Sequence, residues 1–146
     1  MRKVAMLMIC LLSSSFAGDI ANGQSEPAPK PVPSNYRAQI VRQMSQAYDL
    51  GKIRDAGITP PIFKFVSLVH GRRWVVCIAT FEDAALFGTV YRMTIVTFND
   101  DQAEILSAAH VRGTGSASRT KVNASGYCQG LTTSPLPEIV RGKPLS

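Results

Sequence analysis

Residues 62–81 read IFKFVSLVHGRRWVVCIATF. Two apolar runs, 62–69 and 73–81, flank His70-Gly71-Arg72, a short turn built around a glycine. Runs of this length, rich in β-branched and aromatic residues, predict two strands of a β-hairpin. Downstream, residues 89–98 (TVYRMTIVTF) carry the same composition and predict a third strand. It ends at Asn99-Asp100-Asp101-Gln102, a second turn, after which residues 103–108 return as a fourth strand. Residues 82–88 join the second and third strands as a longer loop, with Leu86 and Phe87 near its tip.

Upstream of the hairpin the period changes. Tyr36, Ile40, Met44 and Tyr48 recur at intervals of four, with Val41 and Ala47 beside them and Arg37, Gln39, Arg42, Gln43 and Gln46 opposite. That spacing predicts a helix of about four turns, opened by Ser34 as N-cap and ending near Asp49 with Gly51 as C-cap. Two cations on its polar face, Arg37 and Arg42, are few for a membrane-surface helix, so its apolar stripe is expected to dock on the sheet. Residues 52–59 read as a link, and Pro60-Pro61 exclude a continuing helix. Helix before meander signals α+β: one N-terminal helix packed on an antiparallel sheet of about four strands, followed by an irregular C-terminal segment. In that segment, residues 111–130 are rich in Gly, Ser, Thr and Ala, and residues 135–139 can lay a short apolar hook on the body.

The chain of 146 residues is long enough for one domain and too short for a TIM barrel or a full dinucleotide-binding fold. Its first 23 residues read as a signal peptide. Arg2 and Lys3 precede an apolar run over residues 4–12, which is shorter than the roughly 20 residues that span a bilayer. Small residues at the required spacing place cleavage after Ala17 or after Gly23, the alternative being an uncleaved anchor. Cys10 lies within the apolar run behind Met8 and Ile9, not in a lipidation motif. Residues 24–33, with prolines at 27, 29, 31 and 33, form a spacer of polyproline character. Residues 34–140 are then a single α+β domain and 141–146 a flexible tail. The expected location is periplasmic or secreted, with no transmembrane segment in the mature chain.

Cleavage removes Cys10 and leaves Cys77 and Cys128, which in an oxidising compartment are expected to pair as a disulfide; two free thiols are the alternative. The net charge of +6 comes from cations in runs of no more than two, unlike the concentrated stripe of a nucleic-acid protein. It suits an anionic envelope surface better.

The residues of ordinary chemistry form no specific pattern. His70 and His110 are distant and lack metal-ligand spacing, so no metal is expected, and no cofactor. The Gly-x-Ser-x-Gly elbow is absent, and residues 113–118 (GTGSAS) lack the third glycine of a dinucleotide loop. Glu82-Asp83 and Asp100-Asp101 read as solvated turn formers, not a catalytic pair. Asn123-Ala124-Ser125 matches a glycosylation sequon, relevant only in a host with that machinery.

Several stretches together, Asn35-Tyr36-Arg37, Ile53-Arg54-Asp55-Ala56, Val75-Val76-Cys77, Phe87-Gly88 with Tyr91, and Cys128 followed by Pro135-Leu136-Pro137-Glu138, resemble small exported proteins of unknown function from alphaproteobacteria of rhizobial type. The resemblance covers residues 34–140. It implies a helix on an antiparallel sheet and an envelope location, and brings no catalytic residues. The expectation is a non-enzymatic binding module of the cell envelope, contacting an unknown envelope protein or an anionic surface through an exposed sheet edge or the Leu86-Phe87 loop. A small-molecule-binding or hydrolytic domain with a cavity between helix and sheet is the alternative, to be favoured by a deep polar pocket at His70 or His110. A purely structural envelope protein is the third.

Overall fold

The computed structural model describes residues 28–84, 88–111, 116–117, 121–122 and 126–141. Helix α1 (Tyr36–Ala47) and a 3-10 turn (Leu50–Lys52) precede strands β1 (Ile53–Ile58), β2 (Ile62–Ser67), β3 (Gly71–Ala84), β4 (Gly88–Asn99) and β5 (Gln102–Val111). A two-residue strand β6 (Ser134–Pro135) and a second 3-10 turn (Pro137–Ile139) follow. All strand pairings are antiparallel, in the order β5-β4-β3-β1-β6, with β2 also paired to β3.

The four expected strands are β2 to β5, but the sheet has six strands, not about four. The expected link at residues 52–59 is largely β1, and the apolar hook begins as β6. β1 and β2 lie end to end along one edge of the 14-residue β3. β2 takes the first half (Ile62↔Val75, Phe65↔Arg72) and β1 the second (Ile58↔Ile78, Ile53↔Glu82). Pro60-Pro61 interrupts this edge because proline has no N–H to give a ladder. Thr59 bridges the gap: its N–H donates to the Cys77 carbonyl (2.9 Å), and its hydroxyl accepts from the Cys77 N–H (3.0 Å). A side-chain oxygen thus stands where a strand carbonyl would.

The helix is shorter than its periodicity predicts. Asn35, not Ser34, is the N-cap and makes no side-chain capping bond, while Tyr48 is already extended. Gly51 sits in the 3-10 turn, where its N–H donates to the Asp49 carboxylate (3.0 Å). One face of α1 buries Ile40 and Met44 completely against Val76, Ile78, Val96 and Phe98 of the sheet. Leu136 and Ile139 extend this layer, and the Arg37 guanidinium ties α1 to Glu138 (3.0 and 3.2 Å).

The alternate residues of β3 point the other way. Val75, Cys77 and Ala79, with Met93, form a second apolar face covered by Ala117, Val122 and Cys128, with Tyr127 and Leu131 beside them. β3 is therefore buried on both faces along its middle, which accounts for its unbroken apolar run. The Cys77–Cys128 disulfide joins the sheet to its irregular cover. Closing a loop with a sequence separation of 51 stabilises by about 4 kcal/mol on the chain-entropy account. Among the described residues, no helix is long and apolar enough to cross a membrane.

Candidate interaction surface

The two histidines lie at opposite ends of the sheet: His70 in the β2–β3 turn, and His110 on β5 opposite Arg92. His110 lies on the rung of Thr80, ten residues along from His70; at about 3.3 Å per residue the two are roughly 30 Å apart, so they share no site. Among the described residues, no group of His, Cys, Asp and Glu could hold a metal ion.

At the His110 end, the face that carries the helix also carries a polar layer. The Glu82 carboxylate accepts from the Thr80 hydroxyl (2.7 Å) on one oxygen and from Arg92 (3.0 Å) on the other. Arg92 stacks on the Tyr48 ring, 4.6 Å from its centroid, and reaches His110 Nε2 at 3.4 Å. Glu82 is the pair's more buried member, at 10% side-chain exposure against 20% for Arg92. Both carboxylate oxygens are occupied and the charges cancel in place. This arrangement closes the end of the core. On the opposite face burial pushes the Tyr91 phenol up, and its ring meets Phe81 edge-on.

The His70 end differs. The β2–β3 connection is Leu68-Val69-His70, not His70-Gly71-Arg72, so the turn sits two residues earlier than the glycine implies. Its polar closure is local. The Ser67 hydroxyl accepts from the His70 N–H (3.1 Å) and bonds His70 Nδ1 (2.8 Å). The His70 carbonyl accepts from Arg73 Nε (2.9 Å). Gly71, at φ 64°, supplies the left-handed conformation that turns the chain into β3. With the polar groups turned inward, the apolar ones face out: Leu68 is 96% exposed, Val69 88% and Phe65 55%.

Below this tip, Phe65 and Phe63 of β2 pair with Arg72 and Trp74 of β3, so all four side chains lie on one face. The Phe63 and Trp74 rings sit 5.5 Å apart, with the Arg72 guanidinium 5.5 Å above Phe63. Trp74 Nε1 donates to the Lys30 carbonyl (2.6 Å), which fixes the proline-rich segment against the sheet there. Together Lys30, Phe63, His70, Arg72, Trp74 and Asp100 border a depression of about 300 Å³. On the opposite face, Lys64 Nζ donates to the Tyr127 carbonyl (2.9 Å) and the Tyr127 hydroxyl to the Val66 carbonyl (2.7 Å). The hairpin is thereby braced from both sides.

Of the expected interaction residues, Leu86 and Phe87 lie outside the described residues, as does Asn123-Ala124-Ser125. The outer strands of the sheet are β5, β2 and β6; on β5, a register shift at Ile95/Val96 and the capture of the Ala103 N–H by Gln39 (2.9 Å) blunt its capacity to template another strand. Cys77 and Cys128 are bonded to each other. The acidic pairs are dispersed: Glu82 faces Arg92, Asp83 faces Arg54, and Asp100 faces Lys30. The tip residues Leu68 and Val69 were legible only as strand. The signal that distinguishes them is Ser67-x-x-His70, a polar pair spaced to close a turn.

No family model matches the chain, and no curated protein or solved structure matches it.

Proposed function

We propose that this protein is a non-enzymatic binding module of the cell envelope, exported through its N-terminal segment and docking through the β2–β3 hairpin. The carrying observation is the pair Leu68 and Val69, almost fully exposed on a turn closed by the Ser67 hydroxyl and the His70 N–H, Nδ1 and carbonyl. Scattered exposed apolar residues need no explanation, but adjacent ones at a braced tip, with Phe65 beneath, are the pattern of a contact surface. A disulfide is consistent with an oxidising compartment.

The alternative of a ligand cavity between helix and sheet has less support. Ile40, Met44, Val76, Ile78 and Val96 fill that interface at 0% exposure. The polar groups near His110 satisfy one another.

A photoreactive residue placed at position 68 in the native host tests the proposal. Adducts to an envelope component are expected at 68 and absent from a control at exposed Gln46 on α1. Equal labelling at the two positions would remove the hairpin from the account.

A further inference from the structure

We infer that the surface met by the hairpin is an anionic lipid bilayer: Leu68 and Val69 enter the boundary between headgroups and acyl chains, while Lys64 and Arg72 lie at phosphate level. The inference rests on the hairpin being the docking surface and names what it docks on.

Three observations converge. First, hairpin tips are ordinarily built from Gly, Asn, Asp and Ser, which water solvates well; here the outermost positions are Leu68 and Val69. Second, the charge within the hairpin has one sign. Residues 56–81 contain Lys64, Arg72 and Arg73 but no carboxylate. Of the acids at this end of the sheet, Asp100 is paired with Lys30 (3.2 Å) and Glu104 with Arg73 (3.5 Å), and Asp101 lies in the β4–β5 turn. An acidic membrane attracts such a collar, and attraction decays within a Debye length, so only cations close to the tip count. Third, Trp74 and Phe63 lie on the face shared with Arg72, three rungs below the closing pair Ser67↔Gly71. Aromatic rings beside cations suit the interfacial layer, where one side is wet and the other apolar. An acidic protein groove could satisfy the charges, but it would need a matching socket for two neighbouring apolar side chains. A bilayer accepts them without one.

The chain carries its own probe. Trp74 is the only tryptophan, so its emission reports on the hairpin whatever residues 1–23 do. The full chain is mixed with vesicles of phosphatidylcholine, alone or with phosphatidylglycerol, containing acyl chains brominated near the headgroup. Quenching of Trp74 is expected with the anionic vesicles and not with phosphatidylcholine alone, and it weakens in high salt. Replacing the tip (Leu68→Ser with Val69→Ser) lowers the vesicle affinity at least about tenfold, since each loses a side chain's worth of apolar burial. Arg72→Glu lowers it by a similar factor, with circular dichroism confirming that both variants fold. Absence of quenching in anionic vesicles, or quenching unchanged by the tip replacement, overturns the inference. If vesicles fail while position 68 still crosslinks to an envelope protein in the host, the lipid assignment falls and the docking role of the hairpin stands.

Discussion

The two faces of the sheet are covered by different means. On one, a helix whose apolar residues recur every four positions packs on Val76 and Ile78 of β3, Val96 and Phe98 of β4 and Ala103 of β5, and its backbone is bonded within the helix. On the other, the cover is irregular chain that must borrow its partners. Ala117 N–H donates to the Asp55 carboxylate (2.7 Å), the Thr133 hydroxyl donates to the Ala117 carbonyl (2.8 Å), and Val122 pairs with Leu131 (2.8 Å). A helix brings its own scaffold and needs only a stripe; irregular chain needs a long-range tie. The Cys77–Cys128 bond supplies that tie, joining the centre of the sheet to the turn at Gly126–Gly130. The exposed hairpin depends on the second face, because Tyr127, beside Cys128, braces Lys64 and Val66 of β2.

The largest test of this contrast is to break the tie. Cys77→Ala with Cys128→Ala should lower unfolding stability by about 4 kcal/mol, the loop-entropy value, or less where the reduced chain keeps structure. Hydrogen exchange should localise the loss. Amides of residues 116–117, 121–122, 126–131 and of β2 lose protection first, while α1 stays protected until global unfolding. Equal loss of protection on both faces would show that the two covers are not independent.

The reciprocal perturbation is smaller and falls on the other face. Met44 is fully buried under the helix, and truncation to alanine should cost about 3 kcal/mol, from lost transfer energy and the cavity left behind. Chemical denaturation gives the magnitude. Disulfide-dependent protection of residues 116–117, 121–122 and 126–131 should remain. If Met44→Ala loosens that segment as strongly as removal of the disulfide does, the sheet transmits strain between its faces and the contrast fails.

How much of this could be read from the residues follows the same division. The helix, β2 to β5 and the disulfide announce themselves locally, through period, β-branched composition and cysteine arithmetic. β1 does not. Its sequence, IRDAGI, is broken by Arg54, Asp55 and Gly57, each chosen for a contact distant in the chain. Asp55 receives Ala117 N–H, and Gly57 has no side chain because a Cβ there would stand 2.2 Å from the Ala117 carbonyl oxygen. Those constraints come from a segment some sixty residues downstream, so no window around β1 contains them. β6 is two residues long and exists only because Leu136 needs burial beside β1; its N–H donates to the Ala56 carbonyl (2.9 Å). The candidate surface was hidden by a smaller error. Gly71 draws the eye as a turn centre, yet it only opens β3, so the two residues that cap the hairpin read as the end of a strand.

The smallest expected effect concerns those two residues, and its smallness carries the argument. Side chains that are 96% and 88% exposed bury almost nothing in the folded chain, so Leu68→Ser with Val69→Ser should change stability by no more than about 0.5 kcal/mol. Polar residues at a hairpin tip are better solvated, and the change could even be stabilising. The closing bonds of the turn run between Ser67, His70 and Arg73 and do not involve the substituted side chains. Both outcomes are read from the same denaturation curve used for the two covers. A loss of 2 kcal/mol or more, of the size expected for a buried apolar residue, would mean that Leu68 and Val69 pack against part of the chain outside the described residues. They would then belong to the core and not to a contact surface. A null effect leaves two apolar side chains that the fold does not use, retained where a soluble turn would place serine or asparagine, and a binding role accounts for both.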